Sequence, residues 1–449
     1  MTRPMTEKSK TREVLGIAFP AVLESLVSVI ITAIDTKMIS VLGKGAISAV
    51  SYTVQPKLIV FSVFFALGTA VSMFVSQAYG KKDAEEANAC LISILRIAVL
   101  FSLCAGILLF FLARPVMMLC NRQPDTLEMS ITFFRIVMLF CLFQAVSIIL
   151  NAALRGIGKT KVTLISGIAM GAVDIVVNYL LIEGHFGFPR LEVAGDAIGT
   201  VAGTMAACAV SVLAIRRESG FLSLRGFFSP ERHTSENTLK NIRSKTGNII
   251  IENLFMRIGF LLSSIILSGL GSGETAVYYV GMILLNYSFA FGDGIQSAVV
   301  ALTGKSIGAH RYQDLHSYIR ISAGIAVACS FLLSLLYVAG SRWFFSLYFT
   351  DAKALNDGFT TSCIAALLTL LQILRIVAIG VLRGMGEVKD PRRISTLCVF
   401  ALNPALSLLL TSVCHFGIWG IWLASVITQV IWFLLSLLTC RRHLASLPA

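Results

Sequence analysis

The chain has 449 residues, of which 56% are apolar and 14% charged, against roughly 25% charged in a soluble globular protein. A helix crossing a bilayer uses about 20 mostly apolar residues, so twelve crossings consume about 240, and a mean hydropathy of +0.82 fits that demand. A disordered chain and a disulfide framework are thereby excluded, and the composition is that of a polytopic membrane protein rather than of a soluble enzyme. The net charge of +13 lies in short gaps between apolar runs, where it orients a membrane protein rather than binding nucleic acid. The ten cysteines stand singly, without CxxC or Cys/His spacing, and the six histidines show no zinc-type spacing.

In chain order, a basic N-terminus (Arg3, Lys8, Lys10, Arg12) precedes an apolar run too long for a signal-peptide core, which reads as a retained first span. Apolar runs and the polar punctuation between them predict twelve spans, at 14–42, 50–78, 88–112, 128–152, 162–183, 194–215, 247–270, 276–303, 316–338, 357–381, 393–414 and 417–439. The longest polar gap follows the sixth. It divides the chain into an N-terminal six-helix lobe (1–215), a cytoplasmic linker (216–246) and a C-terminal six-helix lobe (247–449). A short amphipathic piece with Trp343, Phe344, Phe345, Leu347, Tyr348 and Phe349 is expected in the interface before span ten. Of the 37 Lys and Arg, 24 fall in the termini and even-numbered loops and six in the odd-numbered loops. That asymmetry predicts a multi-pass protein of the inner or plasma membrane with both termini in the cytoplasm.

The two halves match when 228 is added to the residue number. Glu24 meets Glu252, Leu42-Gly43-Lys44-Gly45 meets Leu270-Gly271-Ser272-Gly273, and Gln144 meets Gln372. The clearest block is Leu154-Arg155-Gly156-Ile157-Gly158 against Leu382-Arg383-Gly384-Met385-Gly386. Each unit holds six spans, an even number, so both enter the membrane from the same side. The fold expected is an all-α polytopic membrane protein, two parallel six-helix repeats around a central cavity, which is a common transporter plan.

A P-loop is absent, because Val299 and Ala153 stand where the leading glycine of GxxxxGK[ST] belongs before Gly304-Lys305-Ser306 and Gly158-Lys159-Thr160. Gly80-Lys81-Lys82-Asp83 fits the basic signature of major-facilitator transporters poorly. Other blocks carry a resemblance. They are Pro20 with Leu23-Glu24, then Asp35-Thr36-Lys37-Met38-Ile39-Ser40-Val41-Leu42-Gly43, then Val75-Ser76-Gln77-Ala78-Tyr79-Gly80, and the twice-used Leu-Arg-Gly-x-Gly. In these the chain resembles the multidrug and toxic compound extrusion (MATE) family over essentially all twelve spans. The resemblance implies an antiporter that exports organic, often cationic and aromatic, compounds in exchange for H+ or Na+. The mechanism expected is alternating access, with no enzymatic activity and no cofactor beyond the coupling ion. The partners expected are a small organic substrate and the bilayer, with no nucleic acid, and a monomer should suffice. The alternatives are a lipid-linked precursor flippase of the same superfamily and, from another class, a channel.

Ionisable side chains at membrane depth are costly and mark function by default. Asp35 lies seven residues from the outer end of span 1, about 10 Å deep. Asn178 and, one turn further in, Asp174 lie in the outer part of span 5, and Thr200 lies five residues inside span 6. These four share the outer leaflet, where two carboxylates, an amide and a hydroxyl can hold a proton or supply oxygen ligands to Na+ at Asp35, Asp174 and Asn178. The other reading is a polar cluster that ties spans 1, 5 and 6 together. The resemblance points to the same residues, since the family's span 1 aspartate, span 5 Asn/Asp pair and span 6 threonine fall on Asp35, Asp174, Asn178 and Thr200.

Glu24 and Glu252 are repeat mates in the inner leaflet, suited either to a structural role or to lining a cavity. Asp293, between Gly292 and Gly294, is expected at a break in span 8. Where the sodium-coupled branch of the family carries acids in spans 7 and 10, this chain has Met256-Arg257 and Gln372 to Arg375. Arg257 and Arg375 either bind an anionic group of the substrate or are neutralised by Glu252 and by snorkelling.

Overall fold

The computed structural model describes residues 7–121, 123–217, 220–227, 236–268 and 272–447. Arg3, Arg122, the Leu270-Gly271 part of the repeat match and linker residues 218–219 and 228–235 lie outside the described residues. Among the described residues there is no strand, as long apolar segments require when every backbone N–H and C=O must be bonded within its own segment.

The helices are α1 (Glu7–Ile39), α2 (Lys44–Lys81), α3 (Ala84–Phe111), the short α4 (Ala113–Cys120), α5 (Pro124–Leu139), α6 (Cys141–Gly156), α7 (Thr160–Ile182) and α8 (Val193–Arg217). The second half follows with α9 (Glu236–Ser268), α10 (Ser272–Gly308), α11 (Tyr312–Ala339), the short α12 (Ser341–Ser346), α13 (Ala352–Met385), α14 (Lys389–Ser395), α15 (Asn403–Leu408) and α16 (Gly417–Ala445). Ten described segments are long and apolar enough to cross a membrane, and the bent pair α5–α6 makes eleven. The 37-residue α10 adds a further long helix.

The duplication seen in the sequence recurs in the helix starts. Adding 228 carries Lys44 of α2 to Ser272 of α10, Ala84 to Tyr312, Ala113 to Ser341 and Pro124 to Ala352. The amphipathic α12, with Trp343 exposed and Phe345 buried, thus has a counterpart in α4. The Leu-Arg-Gly-x-Gly blocks end α6 and α13 alike, with Gly158 at φ +82° and Gly386 at φ +89°, backbone that side-chain-bearing residues rarely adopt. The halves differ in one respect. Span four breaks at Phe140 with a 50° bend between α5 and α6, whereas its mate α13 is one unbroken helix.

Two compact units result, Leu23–Thr246 and Met1–Val22 with Gly247–Ala449. The boundary falls inside α1, just after Pro20. In the second unit Val14, Ile17 and Ala18 pack on Ala298, Leu302 and Tyr318. Lys10 reaches Asp314 at 2.6 Å, and Lys305 reaches Glu13 at 2.6 Å. The expected break at Asp293 is not present, for α10 runs through it. Its glycines serve close packing instead: a Cβ at Gly294 would stand 2.6 Å from the Val22 nitrogen, and one at Gly292 2.7 Å from Ile376. Pro404 does disturb its span, where the turns on both sides, Thr396–Leu402 and Leu409–Val413, are widened to π-helix.

Within the Leu23–Thr246 unit the closest packing joins α7 and α8. Gly195, Gly199 and Gly203 recur every fourth residue and line one face of α8, which lets two backbones approach as small-residue stripes do in membranes. A Cβ at Gly203 would lie 2.7 Å from the Met170 carbonyl, and one at Gly199 would collide with the Asn178 carboxamide. Below this stripe a polar ladder fixes the pair to α6. Ser211 donates to Asn151 Oδ1 at 2.8 Å, Asn151 donates to Ser166 at 3.2 Å, and Ser166 donates to the Ala207 carbonyl at 3.1 Å.

Candidate functional site

The close α7–α8 contact carries the acids together. Asn178, fully buried on α7, donates through one nitrogen, Nδ2, to Asp35 Oδ1 at 2.6 Å, Asp196 Oδ1 at 3.3 Å and Asp174 Oδ1 at 3.4 Å. Three helices, α1, α7 and α8, thus meet at one amide. Asp35, Asp174 and Asn178 come together where the sequence analysis grouped them. Asp196 is an addition, fully buried in the first turn of α8. Through the shared Asn178 nitrogen it joins Asp35 and Asp174 in one cluster. An acid in the first turn of a helix reads in the sequence as a charge complementing the helix dipole, which is why it went unseen there.

Two acceptors of the cluster, Asp196 Oδ2 and Asn178 Oδ1, are buried and receive no hydrogen bond. Among the described residues no three His, Cys, Asp or Glu side chains converge so as to hold a metal ion. The acids surround the amide nitrogen rather than a common point. Thr200 faces a small cavity of about 30 Å³ beside the cluster, shared with Lys57, Gln144 and Thr204. Lys57, on α2, lies within the electrostatic reach of Asp196, Asp35 and Asp174, with its ammonium 5.6 Å above the centre of the Phe133 ring. It too was missed, since a single lysine within an apolar run gives no sign of what it faces.

Glu24 and Glu252 are each one half of a repeated ion pair. Arg155 Nη1 donates to Glu24 Oε1 at 3.2 Å, and Arg383 Nη2 donates to Glu252 Oε1 at 3.1 Å. The four residues are two pairs of repeat mates. The second carboxylate oxygens differ. Glu24 Oε2 accepts from Thr163 Oγ1 at 2.5 Å, whereas Glu252 Oε2 is buried without a donor, because the mate of Thr163 is Pro391.

Glu252 is therefore neutralised by Arg383 and not by Arg257, which among the described residues has no acidic partner at ion-pair distance. Arg375 is buried and does not snorkel. Its guanidinium lies 3.5 Å from the Trp432 ring centre, and with the Gln429 carboxamide turned so that its oxygen faces Arg375, that oxygen accepts from Arg375 Nε at 3.1 Å and from the Gln372 backbone N–H at 3.2 Å. Gln372 Nε2 reaches the Leu285 carbonyl at 3.5 Å. Phe255 packs edge-on against Phe400 at 4.9 Å.

Known proteins share this architecture. The MatE family model matches twice, over residues 20–180 and 249–409, two segments of equal length. A Bacillus subtilis protein named as the uncharacterized transporter YisQ is 24% identical over 425 residues, covering 93% of this chain and 91% of the relative. A probable multidrug resistance protein NorM of Pseudomonas aeruginosa is 25% identical over 428 residues, covering 92% and 85%. Among solved structures, a MOP superfamily transporter from Pyrococcus furiosus, described as having a binding pocket of reverse polarity, aligns with a TM-score of 0.88 at 16% identity over 98% of this chain and 96% of that one. MATE structures in a straight and a bent conformation each align with a TM-score of 0.87, at 17% identity over 98% of this chain and 97% of that one, and at 15% over 99% of both. With one family model covering each half of a chain whose helices repeat at nearly the same offset, the chain belongs to the MatE family, the multidrug and toxic compound extrusion transporters.

Proposed function

We propose that the protein is a secondary antiporter that exports small organic compounds, many of them cationic and aromatic, in exchange for an inward-moving proton or sodium ion. The observation that carries this reading is the meeting of Asp35, Asp174 and Asp196 at the single Asn178 nitrogen. Each charged side chain at membrane depth costs roughly 2.5–3.5 kcal/mol on insertion scales. Three carboxylates outnumber the one nearby ammonium, so a cation that enters from outside relieves a standing cost. Because the acids come from α1, α7 and α8, their neutralisation changes how firmly those helices hold together. Exchange follows when cation and substrate prefer different arrangements.

The names of the multidrug resistance relatives support the substrate class. The Lys and Arg asymmetry supports a plasma-membrane protein, two six-helix lobes joined by a linker, with both termini in the cytoplasm. A single copy suffices for this scheme. Asp35 carries the coupling, with Asp174 and Asn178 as its partners and Thr200 at the adjoining cavity. Glu24 and Glu252 hold their lobes together, and Arg257 is the group left to meet an anionic part of a substrate.

The test is ethidium export by purified protein in liposomes under an imposed proton or sodium gradient, with Asp35→Asn beside the parent. Gradient-driven flux that disappears in the variant is expected. Flux indifferent to both gradients and to Asp35 would refute the reading.

A further inference from the structure

The antiporter reading rests on acids that any cation could neutralise, and it leaves Lys57 and Asp196 without a role. Asp196 is fully buried, and its Oδ2 has no donor. Lys57 lies in the field of all three carboxylates, Asp196 foremost, while no carboxylate among the described residues comes within ion-pair distance of it. It is held by the Phe133 face below and opens onto the cavity with Thr200. At about 30 Å³ that cavity has room for one or two waters and not for a hydrated metal ion.

The carboxylates that act on the ammonium come from three helices. Asp35 enters from α1, Asp174 from α7 and Asp196 from α8. The other cavity walls are uncharged, Val137 of α5 with Cys141 and Gln144 of α6. Arg135 of α5 lies elsewhere, over Phe110 at 5.6 Å. The ligand set is also turned away from a metal ion. A hard cation wants a full shell of oxygens, yet Asn178 presents its nitrogen to the acids while its own Oδ1 is buried and unbonded.

We propose that Lys57 and Asp196 set the ion selectivity of the coupling site. The Lys57 ammonium is a tethered cation that balances the additional carboxylate and keeps sodium out. This deepens the antiporter reading and rests on it for the role of the cluster. Its consequence is that protons are the exchangeable cation. Without the ammonium, three carboxylates and a rotatable amide remain, a set that sodium can fill once Asn178 turns its oxygen inward.

The experiment compares thermal unfolding of the full-length purified protein in sodium chloride and in choline chloride at equal ionic strength, for the parent and Lys57→Met. The parent should melt alike in both salts. Lys57→Met should melt roughly 2–4 °C higher in sodium, the shift that occupancy of one site well above its Kd produces. If Lys57→Met does not survive purification, Lys57→Ala, which leaves the same three carboxylates and the amide, should show the same sodium response. A parent stabilised by sodium, or variants indifferent to it, overturns the inference. A purely structural lysine would lower the melting point equally in both salts. The liposome assay separates the two readings, for a parent that moves ethidium under neither gradient sinks the antiporter, while the salt comparison still decides selectivity.

Discussion

The two repeat-related ion pairs should respond unequally to the same mutation. In Glu24→Gln and Glu252→Gln the side-chain shape is kept and one charge is removed. The Glu252 pair is the drier one, with side-chain exposures of 1% for Glu252 and 12% for Arg383, against 15% and 25% for Glu24 and Arg155. Taking one partner from a buried pair leaves the other charge uncompensated and costs about 3–5 kcal/mol. At Glu24 the glutamine still has Thr163 and a partly solvated Arg155, so the loss is that of a charge-assisted bond becoming neutral, about 1–2 kcal/mol. Reversible unfolding of the purified protein in mixed micelles measures both. Removing both members, as in Glu252→Gln with Arg383→Met, should cost less than the sum of the singles by about 2 kcal/mol, because the stranded charge disappears. Equal losses at the two sites, or additive costs at the Glu252 site, would refute the reasoning that burial and the missing Thr163 equivalent make the second pair more brittle.

Gly199→Ala drives a methyl into the Asn178 carboxamide and should destabilise by about 1–3 kcal/mol while abolishing gradient-driven flux. Gly324→Ala on α11, where an added Cβ meets nothing within 4 Å, should instead be neutral or stabilising by up to about 1 kcal/mol. Micelle unfolding and liposome flux check both variants. Arg375→Lys keeps the charge but loses the flat stack on Trp432 and the guanidinium geometry toward Gln429, so a loss of about 2 kcal/mol and altered tryptophan emission are expected. Unchanged emission would mean that the stack is not maintained in the membrane.

Much of the architecture is written in local properties of the chain. Length and apolarity of each run mark a crossing, and the repeat at offset 228 reappears as matching helix starts from α2 to α5. What hydropathy cannot reveal is geometry inside an apolar run. The 50° bend at Phe140 involves neither proline nor glycine, and the mate residue, Leu368, sits in a straight helix. Asp293 shows the opposite error, where flanking glycines suggested a break and the helix uses them to admit a neighbouring backbone. In both cases the deciding partner lies far away in the sequence.

The site was legible to the extent that depth can be counted along a helix, which is why Asp35, Asp174 and Asn178 could be grouped before their contacts were known. Asp196 and Lys57 escaped because position alone gave each an ordinary explanation. Yet signals for the missing partners were present. Glycines at 195, 199 and 203 mark the face of α8 that α7 approaches, and Asp196 is the immediate neighbour of that stripe. Glu24 and Arg155 stand the same distance apart in the chain as Glu252 and Arg383. A duplicated acid and a duplicated arginine at equal separation are what a conserved ion pair leaves in a sequence, and Arg257, which has no counterpart in the first half, is by the same logic outside that pair. Duplication thus works as an internal control. Contacts shared by both halves are those the fold needs, and unshared charges, among them Asp35, Asp174, Lys57, Asp196, Arg257 and Arg375, are where this chain has departed from its own symmetry and where its specificity is to be sought.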